Sequence, residues 1–454
     1  MTLWTVHGDG RQVTPGEVVA PGERLSWPRT VGLGMQHVVA MFGATFVFPV
    51  LMRLSPQLAV LMSGVATLLF LVLTSGRVPS YLGTSASFVG ATATIYSLGG
   101  TRADVTGALL VVGVALAAAG GLLHLFGARA IQRVLPPVVT GAVVMLIGFN
   151  LAPVVAQTYW PQDQWVALAV MVFVIVATVG FRGFASRIAI FLAVVFGYAL
   201  SWVLDLLLGP VGHTDPATGK TVAGLRVDFG PVADAPWFGL PPATTGAAPG
   251  WHLPSFDAGF ALVALPIVIA LVAENAGHVK AVAEMTGDDL DPMMGRAIGA
   301  DGVATVVATS VGGSPTTTYA ENIGVMAATR VYSTAAYVVA ALTAIGFGLS
   351  PKFGAVVNAI PGGVLGGITV VLYGMIGLLG AKIWRENHVD FGDPANLVPV
   401  AAGLVIAIGN VTLTFTDDFS LGGIALGTLV VVLGYHLARV LVGRRRQPER
   451  VPPD

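Results

Sequence analysis

GGSPTTTYAENIGVMAATRVYST, residues 312–334, is a stretch that a continuous helix would not use. Gly312, Gly313 and Pro315 interrupt it, and three successive threonines follow at 316–318. This pattern predicts an extended piece over 316–320 and a helix over 321–330. Five residues at about 3.3 Å and ten at about 1.5 Å span roughly 31 Å, one hydrocarbon thickness. A plain helix over 315–330 would reach only about 24 Å. Glu321 then sits near the bilayer midplane, at the start of a half-helix. Irregular backbone at that depth persists only where protein covers it or a cavity needs it, and transporters bind substrate at such breaks. An ordinary loop between helices is the alternative, but residues 325–328 are apolar and the flanking segments require another crossing.

The rest of the chain agrees with a membrane setting. Of its 454 residues 55% are hydrophobic and only 10% are charged, with a mean hydropathy of +0.80. A soluble protein carries about 25% charged residues. The net charge of -1 and the lack of a basic patch give no reason to expect a nucleic-acid partner. With no cysteine, disulfides, thiolate metal sites and cysteine nucleophiles are excluded. Residues 1–29 lack the apolar core of a signal peptide, and their repeated Pro-Gly-Glu reads as a cytoplasmic tail.

Apolar segments fall at 30–52, 57–75, 81–100, 104–126, 134–156, 165–181, 188–208, 258–283, 296–311, 315–330, 335–350, 358–380, 395–411 and 421–442. The expected fold is therefore an all-α polytopic membrane protein with fourteen transmembrane segments. Only five of the 23 lysines and arginines fall in outer loops when the N-terminus is inside: Arg53, Arg102, Lys220, Arg226 and Lys352. Arg129, Arg133 and the terminal Arg444, Arg445 and Arg446 are among the inner ones. The positive-inside rule thus places both termini in the cytoplasm. The longest loop, 209–257, divides the segments seven and seven, so the second half enters the membrane inverted. A weak internal similarity supports this 7+7 inverted repeat. LPPVVTGAVVMLIG from Leu135 aligns with IPGGVLGGITVVLYG from Ile360, setting Pro136 over Pro361 and Gly141 over Gly366. Inverted repeats place substrate between the halves, so segment ten should face segment three. By that symmetry a short strand at 85–88 would pair with 316–319.

Carboxylates within a membrane cost about 2.5–3.5 kcal/mol each, which makes every one informative. Glu274 and His278 lie four residues apart in segment eight and project from one helix face, an arrangement suited to proton relay. A structural hydrogen bond between helices is the alternative. Glu321 and Asn322 supply acceptors and donors at the start of the half-helix. His37 reads as packing or a helix–helix hydrogen bond, with substrate contact the alternative, and Asp301 as a structural group near the inner end of segment nine. No HExxH, GxSxG or paired-carboxylate arrangement points to hydrolysis. TGKT at 218–221 has neither the spacing nor the preceding strand of a phosphate loop.

QHVVAMFGAT (36–45), PSYLGTSASF (79–88), AENAGH (273–278) and TTTYAENIGVMAATRVYST (316–334) resemble the signature stretches of the nucleobase–ascorbate transporters, closest to their bacterial uracil and pyrimidine branch. The resemblance spans roughly residues 30–440. It implies a core domain (30–126 and 258–350), a gate domain (134–208 and 358–442), an extracytoplasmic loop (209–257) and cytoplasmic tails (1–29 and 443–454). Short antiparallel strands in segments three and ten are implied as well. The activity implied is proton-coupled, elevator-type import of uracil or a related base across the bacterial inner membrane. It would run on the proton gradient without cofactor or metal, and the family allows a gate-to-gate homodimer. A xanthine or urate carrier of the same family is the alternative, and an anion carrier of the same architecture a more distant one. By position, Glu274, Glu321, Ala320, Tyr319, Ala86, Phe88 and Ala44 are assigned to substrate binding. Glu274 and His278 are assigned to proton coupling, and His37, Asn322, Asp301 and Tyr373 to a supporting network. Ala86 stands where a uracil carrier has a phenylalanine stacked on the base. Phe88, on the same face of a strand, would substitute for it, or the pocket would be roomier.

Overall fold

The structure is a computed structural model that describes residues 4–13, 17–127, 135–214, 221–246, 248–416 and 419–445. Arg129, Arg133, Lys220, Arg446 and most of the C-terminal tail lie outside the described residues. The chain forms two compact units, Met1–Ala128 with Pro153–Leu372 and Arg129–Ala152 with Tyr373–Asp454.

In the first unit, long apolar helices run over Trp27–Leu51, Pro56–Leu73 and Arg102–Phe126. Their starts are written in the sequence. Pro28 and Pro56 occupy first-turn positions where no N–H is needed, and Thr101 with Asp104 forms a capping box. Among the described residues, eight helices are long and apolar enough to cross a membrane. The count is nine if the bent pair Thr334–Gly348 and Pro351–Asn358 is one span. Helix length alone thus returns fewer crossings than fourteen. Segments six, nine, eleven and thirteen appear as helices Gln164–Gly180, Met294–Thr309, Thr334–Gly348 and Pro394–Ile408, of 17, 16, 15 and 15 residues. Segments three and ten are each part strand and part short helix.

Those two broken segments meet. Leu82–Thr84 pairs antiparallel with Thr316–Thr318, Leu82 opposite Thr318 and Thr84 opposite Thr316. The strand of segment three therefore lies earlier than 85–88. Ser85 is the reason, since its Oγ accepts the Ser87 N–H at 3.1 Å and starts a 3-10 turn over Ala86–Phe88. The helix Val89–Ser97 continues from that turn. On the other side Tyr319 is still extended (φ -108°, ψ 124°), and the helix runs over Ala320–Thr329. Each strand uses the other's backbone groups, which lipid could not satisfy. Gly83 makes the crossing possible, because a Cβ there would lie 2.7 Å from both Tyr319 Oη and Thr45 Oγ1.

Two contacts brace this crossing. The helix Met294–Thr309 packs backbone to backbone on Arg102–Phe126; a Cβ on Gly120 would lie 2.2 Å from the Gly299 nitrogen. Small residues at such a seam let membrane helices approach closely, and here they seat Asp301, which is fully buried. Residues before the first helix form the second brace. Thr5–Val6 pairs with Glu23–Arg24, and Val19 exchanges backbone bonds with Arg330 and Tyr332 at 2.9 and 2.8 Å. Trp4 Nε1 donates to Thr334 Oγ1 at 2.8 Å. The end of the segment-ten half-helix, where Arg330 has φ 55°, is thereby pinned.

The second unit holds Pro137–Asn150, Pro394–Ile408 and Gly423–Arg445. A Cβ on Gly148 would lie 2.2 Å from the Gly377 nitrogen, and Trp384 Nε1 donates to the Val138 carbonyl at 3.0 Å. Strand pairs that the sequence does not announce occur at Val211–Thr214 with Thr221–Gly224, and at Thr412–Thr416 with Phe419–Gly422.

Candidate functional site

Around the crossed strands the first unit gathers most of the polar residues singled out above. Glu274 and His278 lie on the helix Ile267–Thr286, and both are partly exposed. Their four-residue spacing puts them on one face, as expected. Asn275, one residue on, is turned about 100° away and is fully buried. Its Nδ2 donates to the Leu271 carbonyl at 2.9 Å and to Asp301 Oδ2 at 2.7 Å. Thr317 Oγ1 donates to the same Asp301 oxygen at 3.0 Å. Asp301 thus joins the segment-eight helix to the strand, and among the described residues its Oδ1 has no hydrogen-bond partner.

Glu321 occupies the first turn of the Ala320–Thr329 helix. Ala320 and Glu321 are exposed although the strand before them is buried, so the half-helix start opens onto accessible space. First-turn N–H groups have no helical acceptor and carry the positive end of the helix dipole. Glu274 lies within electrostatic reach of both Asp301 and Glu321, and the Ser87 hydroxyl faces its carboxylate. Among the described residues none of these three carboxylates forms an ion pair with Lys or Arg. Carboxylates so placed must be compensated by hydrogen bonds, a proton or a ligand.

Tyr319 is buried, with Oη donating to the Thr84 carbonyl at 2.6 Å and accepting from Thr45 Oγ1 at 3.0 Å. Ala44, the neighbour of Thr45, is buried as well. His37 makes a helix–helix contact: Asn322 Nδ2 lies 3.1 Å from both its Nδ1 and its carbonyl, and its ring rests 4.5 Å from that of Tyr337. Ala86 is buried at the head of the 3-10 turn, and Phe88, two residues on, is fully enclosed. The expectation that Phe88 shares a strand face with Ala86 is overturned, because residues two apart in a turn of three do not align. Tyr373 falls in the other unit, buried on the helix Gly362–Glu386. Asn275, Thr317, Thr318, Thr45 and Ser87 were not singled out in the sequence. Only the run of hydroxyl residues at 316–318 and 84–87 hinted at them.

Gly83→Ala tests this packing. The added methyl must displace Tyr319 or Thr45, an overpacking cost of about 1–3 kcal/mol, and should lower the Tm of detergent-purified protein. An unchanged Tm would mean that Tyr319 can move aside freely.

Two interrupted segments joined by a buried strand pair, with the Glu321 carboxylate in the first turn of a half-helix, define a multi-pass membrane carrier. The chain belongs to the nucleobase–ascorbate transporter family: the family model described as "Permease family" (Xan_ur_permease) matches residues 28–415. It is 44% identical to the "Putative pyrimidine permease RutG" of Escherichia coli K12, over 94% of each chain. It is 34% identical to the uracil permease of Bacillus caldolyticus, over 93% of this chain and 94% of that one. These relatives are transporters, not enzymes. Among solved structures, murine Slc26a9, an anion transporter in the inward-facing state, superposes with a TM-score of 0.60 at 15% identity. That match covers 92% of this chain and 69% of the other. The transmembrane domain of the cyanobacterial bicarbonate transporter BicA gives 0.57 at 14% identity, over 90% and 96%. At these identities the likeness is one of fold.

Proposed function

We propose that this protein is a proton-coupled symporter that imports uracil, or a closely related pyrimidine, across the bacterial inner membrane. One observation carries the reading: Glu274 and Glu321 flank the exposed start of a half-helix whose first-turn N–H groups are free of helical acceptors. Uracil is flat and neutral, with two N–H donors and two carbonyl acceptors. Carboxylates that only accept, set beside amides that only donate, complement it. The names of the relatives support the same substrate class. In this reading Ala320 offers backbone, Tyr319 and Ala44 shape the wall, and Ala86 leaves room at one face of the ring. Glu274 and His278 handle the proton, while His37, Asn322, Asp301 and Tyr373 support. Fourteen crossings in a 7+7 inverted repeat, termini in the cytoplasm, and elevator motion of a core against a dimeric gate complete the proposal. A purine is the second reading, favoured by the small side chain of Ala86.

Uptake of labelled uracil by cells expressing the protein tests it. Accumulation should be saturable and should collapse when a protonophore is added. Accumulation indifferent to the protonophore would sink the coupling, and stronger competition by xanthine than by unlabelled uracil would favour the purine. His278→Ala is expected to lose proton-driven accumulation far more than uracil–uracil exchange. Equal losses would remove His278 from the coupling step.

A further inference from the structure

We propose that Thr318 is a positioning residue that holds His278 in a single tautomer, with the proton on Nδ1 and a free lone pair on Nε2. The inference rests on the reading of His278 as the coupling residue, but the geometry behind it is independent. Thr318 Oγ1 lies 2.7 Å from His278 Nδ1 and 2.9 Å from Asn275 Oδ1. The direction of each bond follows from the other end of the chain. The Leu271 carbonyl can only accept, so the Asn275 atom 2.9 Å from it is the NH2 group. That fixes the amide, and the Asn275 oxygen must face Thr318. An amide oxygen only accepts, so Thr318 spends its one hydroxyl hydrogen there. Towards His278 the hydroxyl therefore has only lone pairs to offer, and Nδ1 must donate.

The chain Asp301–Asn275–Thr318–His278 is thus polarised along its length. Flipping the imidazole to the other tautomer would set two lone pairs against each other at 2.7 Å. Nε2 is left as the ring nitrogen able to take a proton. The asparagine and the threonine are both buried, so water does not compete for these bonds. Titratable groups on the same helix are Glu274, Lys280 and Glu284. Those on the elements packed against it are Arg102, Asp104 and His124 on Arg102–Phe126, Arg296 and Asp301 on Met294–Thr309, and Glu321 on Ala320–Thr329. Among the described residues Asp301 alone of these joins the chain, through its bond to Asn275, and Thr318 is the last link that touches the ring.

The test uses full-length protein in proteoliposomes. Nitrogen NMR of 15N-histidine-labelled protein, with the His278 signal assigned by its loss in His278→Asn, reads the tautomer directly. Wild type should show protonated Nδ1 and bare Nε2. Thr318→Val, which keeps the shape, should give a mixture of tautomers. Uracil accumulation driven by an imposed proton gradient should then fall about two-fold, because losing the roughly ten-fold preference that one hydrogen bond sets takes the fraction with a bare Nε2 from about nine tenths to about half. Thr318→Ser restores the hydroxyl and should restore both readouts, which a merely structural role would not predict. A wild-type signal with the proton on Nε2 overturns the proposal, as does Thr318→Val with an unchanged tautomer. If His278→Asn still accumulates uracil on a proton gradient, the coupling reading falls, and the NMR result alone decides the tautomer.

Discussion

Purified Glu274→Ala protein is expected to bind uracil about 10- to 150-fold more weakly than the parent, the loss of one charge-assisted hydrogen bond worth about 1.5–3 kcal/mol. Glu274 is partly exposed, stands on the same face as His278 and is faced by the Ser87 hydroxyl. On the proposed reading, truncation removes the acceptor for a ring N–H. The fold should tolerate the change, because Asn275, not Glu274, ties the helix to the strand. Asn275→Ala is therefore the informative contrast: it should lower thermal stability, while Glu274→Ala should leave it nearly unchanged. Calorimetric titration of uracil into both proteins, with Tm measured alongside, separates the two roles. Undiminished binding by Glu274→Ala would remove that carboxylate from the site.

The break in segment ten could be read from Gly312, Gly313, Pro315 and the three threonines, because each disfavours helix for a local reason. The half-helix begins at Ala320, one residue before its expected start. The strand of segment three was harder. Nothing in PSYLGTSASF separates 82–84 from 85–88 by period; the decision falls to Ser85 as a cap and Gly83 as the only residue that admits Tyr319. The pair Glu274 and His278 was visible because helical spacing is written in sequence. Its wiring was not, since Asn275 reaches Asp301 across 26 positions and Thr318 across 43. Asp301 is fully buried and bonded to both the helix and the strand, and its partners lie too far away in the chain to be read from it. Contacts between distant, inward-facing polar residues depend on the fold and leave no local periodicity.

Glu321→Gln is expected to weaken uracil binding by about ten-fold or more while xanthine loses less or gains, if the segment-ten carboxylate chooses between pyrimidine and purine. The substitution keeps shape and removes charge. A carboxylate only accepts hydrogen bonds, whereas an amide both donates and accepts. Against a ring N–H the glutamate is the better partner; against an edge that also presents an acceptor, the glutamine is. Glu321 lies in the first turn of the half-helix and is exposed, so its change should not disturb the strand that ends three residues earlier at Thr318. Asn322, its neighbour, is buried and bonded to His37, and holds the helix in place whatever stands at 321. Competition by unlabelled uracil and by xanthine against labelled uracil, in parent and variant, gives the ratio of the two inhibition constants. That ratio should shift towards xanthine by about ten-fold, the size of the charge-assisted bond that uracil alone loses. A ratio that stays put, even with both constants weakened, would mean that Glu321 contributes affinity without choosing the base, and the choice would then fall to the wall around Ala86.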